Sequence, residues 1–250
     1  ELVHNTSVLD DLKKRGVHFK DEPEQVETKS VMITAHGASN RTRNRAKAAG
    51  LQISDATCPL VNYAHKQIQE LTAIGYHPII VGRHGHVEVR GLTEDLAECD
   101  VVLCEEEINV LTPKPRFGVV AQTTQPIARV RALVKHLKSC FPNSEVRFVD
   151  TVCQPTKQRQ IAAEKLAKKS DVVLVVGGVN SNNTHELTRT CRRFCESVHL
   201  VQGPDDIRAE WLFNTGTLGI TAGTSTPDRL IDAVENRVYS ISSLNIHKTS

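Results

Sequence analysis

Short apolar runs alternate with longer amphipathic stretches along the chain. The run that ends at Val176 is apolar throughout, which is typical of a strand buried on both faces. Between such runs, apolar residues recur at helical spacing, as at Val61, Ala64, Ile68 and Leu71. Strands that alternate with helices pair in parallel through right-handed crossovers. The pattern therefore predicts the α/β class, with short, mostly parallel sheets and flanking helices.

The same pattern predicts the structure of several individual segments. We expect helices over 204–212 and about 228–237, and no regular element over 239–250, which is polar and without a clear period. We expect Gly85-His86-Val87-Glu88 to be extended, which would place His86 and Glu88 on one side. No apolar run approaches the roughly 20 residues that a membrane-spanning helix needs.

One cysteine motif occurs twice. Asp55-Ala56-Thr57-Cys58-Pro59 returns as Asp150-Thr151-Val152-Cys153-Gln154, and each copy ends an apolar, strand-like run. A Val-Gly pair stands 24 positions after each cysteine, at Val81-Gly82 and at Val176-Gly177. The matched offset indicates that one structural unit is used more than once, with a cysteine at the same place each time.

A second series of matches raises the count of repeat units to three. Similar strand ends begin at Ile33, Val119 and Ile220, and each continues into small or polar residues. We expect repeat units over 1–57, 58–152 and 153–250, the first without its cysteine and with an exposed sheet edge. The spacing places the third cysteine about two dozen residues upstream of Glu1.

The composition limits the classes of binding partner and the cellular compartment that we expect for the protein. The net charge is +2, with 31 basic and 29 acidic residues spread along the chain, which gives no reason to invoke nucleic acid or a membrane surface. The seven cysteines show no dense, short-range disulfide pattern. We therefore expect a reducing compartment, either the cytoplasm or, in a eukaryote, the plastid stroma.

Cys58 and Cys153 are the candidate metal ligands. They lie 95 residues apart and form no CxxC pair, so they do not indicate a zinc ribbon. At matched strand ends they would point to a common centre, where a third thiolate would complete the set that a [4Fe–4S] cluster with one open iron needs. The alternative is that both are small buried hydrophobes, which is the default for the other five cysteines.

Neutral polar residues cluster after the predicted strands, at helix starts where backbone N–H groups favour anions. Together they resemble a cage for a phosphate or diphosphate, although singly such residues are ordinary helix caps. Glu88 could donate a proton in a closed site, or it could be a solvated surface glutamate. The candidate ligand-binding residues are His4, His36, His86, Thr123, Ser181, Asn182, Asn183 and Ser225.

As a set, these stretches resemble the LytB (IspH) family of 4-hydroxy-3-methylbut-2-enyl diphosphate reductases, the last enzymes of the non-mevalonate (MEP) pathway of isoprenoid biosynthesis. The matching stretches span nearly the whole chain in the family's order. They are Leu2–Asn5, Ala35–Gly37, Asp55–Val61, Gly85–Glu88, Gln122–Thr124, Cys153 with Arg159-Gln160, Asn180–Asn183 and Thr221–Pro227.

The resemblance implies an oxidoreductase built of three α/β units in a pseudo-threefold arrangement around a central [4Fe–4S] cluster. Cys58 and Cys153 would be two of its three thiolate ligands, and the eight polar residues would hold the substrate diphosphate. Glu88 would supply a proton as the C4 hydroxyl leaves the open iron as water. Two electrons, from ferredoxin or flavodoxin, would then give isopentenyl and dimethylallyl diphosphates.

The chain departs from the family pattern in three places. The family's first strand and first cysteine are absent, Val87 stands where proline is usual, and the C-terminal segment over 239–250 is shortened or lost. We expect this chain, with two of three ligands, to hold a cluster poorly. Two alternatives remain open, an inactive fragment and a non-catalytic α/β protein that binds a phosphorylated ligand.

Overall fold

The chain folds into two compact units. The structure, a computed structural model, describes the backbone of residues 6–246 and the side chains of residues 8–243. One unit is His18–Cys153; the other combines the N-terminal helix α1 (Thr6–Lys14) with the chain from Gln154 onward. We call them the first and the second compact unit. The three repeat units with boundaries at 57/58 and 152/153 stay a prediction.

The first compact unit contains two parallel sheets. Its strands are β1 (Ser30–Ile33), β2 (Gln52–Asp55), β3 (His77–Val81), β4 (Asp100–Val102), β5 (Arg116–Ala121) and β6 (Glu145–Phe148). Its helices are α2 (Asn40–Ala48), α3 (Pro59–Ala73), α4 (Val87–Thr93), α5 (Glu105–Asn109) and α6 (Ile127–Cys140). β1 pairs with β2, and the larger sheet has the order β4-β3-β5-β6.

The larger sheet is covered on both faces because its central strands are apolar after their first residues, His77 and Arg116. In β3, Ile79 and Val81 point into one core with Leu133 and Leu137 of α6, since alternate residues of a strand face opposite sides. Ile80 lies in the other core, between β3 and the helices α3 and α4. The two cores fix the carboxyl ends of the strands, where the polar clusters begin.

The second compact unit contains a parallel sheet of the order β8-β7-β9. Its strands are β7 (Val172–Val176), β8 (Ser197–Val201) and β9 (Leu218–Ala222), and its further helices are α7 (Gln154–Ala167), α8 (Asn182–Arg192) and α9 (Asp228–Ile246). All five residues of β7 are buried, as the apolar run predicts. One face packs on α9, the other on α7 and α8.

Equivalent hydrogen bonds confirm the repeat between the two compact units. Gly82 N–H donates to the carbonyl of Val102 at 3.0 Å, and Gly177 N–H donates to that of Val201 at 2.9 Å. On the other side of each central strand, the N–H of Gln122 donates to the carbonyl of Val81, and the N–H of Gly223 donates to that of Val176, both at 2.9 Å. The two Val-Gly pairs therefore end equivalent central strands, β3 and β7.

The repeat extends to the helix that follows each central strand. His86 caps α4 and Ser181 caps α8, each 28 positions after its cysteine. A Cβ added to Gly82 would come within 2.7 Å of Val89, and one added to Gly177 within 2.5 Å of the Thr184 hydroxyl. Thr184 in α8 thus occupies the place that Val89 fills in α4.

Removing the buried hydroxyl of Thr184 should stabilise the protein. The Thr184 side chain is fully buried, and its hydroxyl has no hydrogen-bond partner among the described residues. Thr184→Val keeps the shape and removes this unsatisfied group, so we expect the free energy of unfolding in urea to rise by about 1 kcal/mol. Thr188→Val is the matched control: the Thr188 hydroxyl donates to the Thr184 carbonyl at 2.9 Å, and its loss should lower stability. Equal losses in both variants would contradict the prediction.

Three local predictions are wrong. The segment predicted as one helix over 204–212 forms two 3₁₀ turns, Pro204–Asp206 and Ala209–Leu212. The last helix does not end near 237 but continues to Ile246, and Ile241 on it is buried. Gly85–Glu88 is not extended, because His86 is the N-cap of α4 and Glu88 lies in its first turn. None of the described helices is both long and apolar enough to cross a membrane.

Candidate active site

The first cysteine follows a turn that is fixed by an aspartate. Asp55 ends β2. Its carboxylate accepts the backbone N–H of Thr57 at 3.0 Å and forms an ion pair with Arg43. Burial alone would raise the pKa of Asp55, but the hydrogen bonds from Thr57 and Arg43 lower it to about 2. Cys58 then starts α3, and its N–H donates to the carbonyl of Ala35 at 3.0 Å.

The second cysteine follows a similar turn. The Asp150 carboxylate accepts the backbone N–H of Val152 at 3.2 Å, the counterpart of the contact between Asp55 and Thr57. The buried Thr151 hydroxyl donates to the Ala121 carbonyl at 2.6 Å and accepts the Ala121 N–H at 2.9 Å. Cys153 N–H donates to the carbonyl of Thr123 at 2.9 Å. Each cysteine is thus anchored to the polar segment that follows the neighbouring strand.

Two predicted ligand-binding histidines lie side by side in the first compact unit. The rings of His36 and His86 meet edge to face, with centroids 5.7 Å apart. His86 caps α4: its Nδ1 accepts the N–H of Glu88 at 3.2 Å. Because Nδ1 is an acceptor, neutral His86 carries its proton on Nε2, which makes Nε2 a hydrogen-bond donor.

Glu88 is buried, so the solvated alternative is wrong. Its side chain is 2% exposed, and its Oε1 accepts the backbone N–H of Thr123 at 2.7 Å. Burial raises the pKa of Glu88 from 4.5 to about 7, although hydrogen bonds from the Thr123 backbone and hydroxyl oppose the shift. A carboxyl group with such a pKa can give up a proton near neutral pH.

The raised pKa makes stability depend on pH. The folded state binds the Glu88 proton more tightly than the unfolded state, so the free energy of unfolding falls as pH rises from 4.5 to about 7. Gln cannot ionise, and we expect Glu88→Gln to gain about 3 kcal/mol relative to the wild type between about pH 4 and about pH 8. Guanidinium denaturation of both proteins measures this difference. A difference that stays constant with pH would show that Glu88 titrates normally.

Contacts connect all the site residues predicted in the first compact unit. The N–H of Cys58 donates to the carbonyl of Ala35, which precedes His36. The ring of His36 packs edge to face on that of His86. Glu88 follows His86 on α4, and its carboxylate accepts the N–H of Thr123. Thr123 in turn accepts from Cys153. The structure therefore brings together Cys58, His36, His86, Glu88, Thr123 and Cys153.

The other predicted binding residues form a group in the second compact unit. Ser181 caps α8 by accepting the N–H of Thr184 at 3.3 Å, and Asn182 and Asn183 form its first turn; all three are buried. Asn183 Nδ2 donates to the hydroxyl of Thr224 at 2.7 Å, next to the half-buried Ser225. His4 lies outside the described residues.

Similarity to known proteins identifies the family. A family model described as LytB protein matches residues 1–239. The chain belongs to the LytB family. A 4-hydroxy-3-methylbut-2-enyl diphosphate reductase of Acinetobacter baumannii is 37% identical over 246 residues, which cover 95% of this chain and 78% of the relative. The corresponding reductase of Tolumonas auensis is 33% identical over 248 residues, covering 96% and 80%.

Solved structures of LytB proteins share the fold. The E-1-hydroxy-2-methyl-but-2-enyl-4-diphosphate reductase of Plasmodium falciparum superposes with a TM-score of 0.88 at 30% identity, covering 94% of this chain and 75% of that chain. A structure of (E)-4-hydroxy-3-methyl-but-2-enyl diphosphate reductase, the terminal enzyme of the non-mevalonate pathway, gives a TM-score of 0.63 at 30% identity, covering 96% and 86%. The α/β fold with short parallel sheets is thereby confirmed.

Three further residues of this LytB chain support the site, and the sequence pattern does not predict them. Arg43 and Thr151 hold the turns that precede the two cysteines, and Thr224 contacts Asn183. Thr151 lies within the second motif and Thr224 directly before Ser225, whereas Arg43 is 12 positions before Asp55 and has no signal in the sequence. Among the described residues, no group of three or more His, Cys, Asp and Glu side chains could hold a metal ion.

Proposed function

We propose that this LytB protein is a 4-hydroxy-3-methylbut-2-enyl diphosphate reductase. It takes up two electrons and two protons, releases the C4 hydroxyl as water, and forms isopentenyl and dimethylallyl diphosphates. The names of its relatives support the reaction. The buried Glu88 carries the proposal: its carboxyl group bonds to Thr123, whose carbonyl accepts the N–H of Cys153, so a group able to supply a proton lies near one of the proposed ligands.

Cys58 and Cys153 would hold an iron–sulfur cluster of the [4Fe–4S] type. The side chains fit this group in kind, since soft thiolates suit iron–sulfur centres and both cysteines are only half-buried, and they supply two of the three thiolates expected. Their backbone N–H groups bond to neighbouring segments, which fixes where each side chain starts. When bound, the cluster supplies the two electrons of the reduction, and we propose ferredoxin or flavodoxin as their source.

Neutral donors would bind the substrate diphosphate. In the first compact unit these are His86, through Nε2–H, with His36 and the Thr123 hydroxyl, which can donate to the diphosphate when Glu88 is protonated and donates to the hydroxyl oxygen. In the second they are the side chains at the start of α8, Ser181, Asn182 and Asn183, together with Ser225. The start of the 11-residue helix α8 favours an anion because its N–H groups and dipole point that way. We include His4 on the sequence pattern alone.

Glu88 would donate the proton that leaves with the hydroxyl group. At a pKa of about 7 its carboxyl is substantially protonated near neutral pH. The hydrogen bonds from Thr123 stabilise the carboxylate that remains after transfer, and burial excludes water from competing for the proton. None of the seven cysteines forms a disulfide, so a reducing compartment such as the cytoplasm suits the protein.

The test is the consumption of electrons on addition of substrate. The protein is loaded anaerobically with iron and sulfide, mixed with reduced methyl viologen, and given 4-hydroxy-3-methylbut-2-enyl diphosphate. We expect equal amounts of iron and sulfide in the protein, and two viologens oxidised per substrate consumed. A protein that binds the diphosphate but oxidises no viologen would instead be the non-catalytic binding protein.

A further inference from the structure

The internal repeat pairs Glu88 with Asn183. Both lie 30 positions after their cysteine, and both are the second residue after the cap of the equivalent helices α4 and α8. Thr123 and Thr224 are equivalent too. Thr123 follows Gln122, and Thr224 follows Gly223, and these two residues donate to the last residue of the central strand in their units. The two compact units thus present the same pair of positions with different side chains.

The equivalent positions also make equivalent contacts. Thr123 bonds to the Glu88 carboxylate through its backbone N–H at 2.7 Å and through its hydroxyl. The Thr224 hydroxyl lies 2.7 Å from Asn183 Nδ2. Asn183 is only 6% exposed, and its Oδ1 has no hydrogen-bond partner among the described residues. A buried acceptor without a donor is unfavourable, so something must pair with this amide when the site is used.

An anion cannot pair with the free Oδ1, because both are acceptors. Turning the amide by half a turn solves the problem, since its two ends have nearly the same shape. The Thr224 hydroxyl would then donate to Oδ1, as the Thr123 hydroxyl donates to Glu88, and the NH₂ group would become available. The separation of 2.7 Å is short for N–H···O but ordinary for O–H···O.

We propose that Thr224 is a positioning residue for Asn183: its hydroxyl accepts from the Asn183 NH₂ group in the structure and, when a diphosphate binds, donates to Oδ1 instead, so that the NH₂ group faces the anion. The proposal rests on the proposed function, which supplies the diphosphate. A hydroxyl can do this because it is both donor and acceptor. Thr224 is itself exposed, so its side chain can be changed without opening a cavity in the core.

The test compares Thr224→Val, which keeps the shape but removes the hydroxyl, with Thr224→Ser, which keeps the hydroxyl. The probe is inorganic pyrophosphate, and calorimetry measures its dissociation constant. We expect about tenfold weaker binding for Thr224→Val, and near wild-type binding for Thr224→Ser, because a hydrogen bond to a charged group contributes about that factor. In turnover, KM should rise by a similar factor while kcat stays within about twofold. Unchanged binding by the valine variant, or a serine variant that is as weak, would overturn the proposal.

Two further variants separate positioning from a general effect on the fold. Thr215→Val makes the same change in the same compact unit, where the hydroxyl donates to the carbonyl of Trp211 at 3.2 Å, and pyrophosphate binding should not change. In an Asn183→Ala background, Thr224→Val should cause no additional loss, because Thr224 acts through Asn183. Should the valine variant not fold, Thr224→Ala takes its place with the same expected result. An additional tenfold loss in the alanine background would contradict the proposal.

Failure of this inference can be told apart from failure of the proposed function. If the wild type reduces the substrate and binds pyrophosphate but Thr224→Val does so equally well, only the role of Thr224 is lost. If the wild type neither binds pyrophosphate nor consumes electrons, the proposed function is wrong and the inference falls with it.

Discussion

Replacing Cys58 or Cys153 with serine should abolish the weak binding of iron and sulfide that we expect of a chain with two of the three thiolates. Serine keeps the size of the side chain but replaces a soft thiolate with a hydroxyl that stays protonated at neutral pH. The backbone around each cysteine does not depend on sulfur, because the N–H groups of Cys58 and Cys153 donate to Ala35 and Thr123. We therefore expect both variants to fold but to contain less than about a tenth of the wild-type iron after anaerobic reconstitution.

The control for this experiment is Cys140→Ser. Cys140 is an exposed, free cysteine at the end of α6, with no counterpart in the repeat. Its removal should leave the iron and sulfide content unchanged. If Cys58→Ser and Cys153→Ser also keep their iron, the two cysteines are not ligands of a cluster.

Glu88→Gln should lower kcat by about 10²- to 10³-fold while the iron content stays at the wild-type level. A positioned general acid contributes about 10² to 10⁴ in rate, and Gln has nearly the shape of Glu but no proton to give. The Thr123 N–H can still donate to the amide oxygen, so the local structure should survive. Steady-state turnover, with iron measured on the same samples, gives both quantities.

Glu107→Gln is the matched control for Glu88→Gln. Glu107 lies in the same compact unit, where its carboxylate accepts the backbone N–H groups of Leu103 and Cys104 as a helix cap. Its substitution should cost some stability and leave kcat nearly unchanged. Equal kcat values for Glu88→Gln and the wild type would remove Glu88 from proton transfer.

The repeat could be predicted from the sequence because the same residue types recur at the same spacing in both units. A Val-Gly pair at a fixed distance from a cysteine marks the end of a buried central strand, and the structure places Val81 and Val176 there. Counting further along the same offsets would also have paired Glu88 with Asn183 and drawn attention to Thr224. The third cysteine, which spacing alone suggests, stays a prediction.

The environment of Glu88 could not be predicted in the same way. Its carboxylate accepts the N–H of Thr123, which is 35 positions away in the sequence and follows a different strand. Helix α4 was missed because it has only seven residues and contains Gly91, so its periodicity is too short to detect. The end of α9 was missed because the segment after 239 is polar, although Ile241 packs in the core.

The most direct measurement is the identity of the organic product. The iron–sulfur-loaded protein is incubated anaerobically with 4-hydroxy-3-methylbut-2-enyl diphosphate and an excess of reduced methyl viologen, and the reaction is followed by NMR and mass spectrometry. We predict that the C4 hydroxyl is lost and that isopentenyl and dimethylallyl diphosphates appear. Recovery of the intact substrate from a protein that holds iron and binds pyrophosphate would contradict a reductase and leave a diphosphate-binding protein.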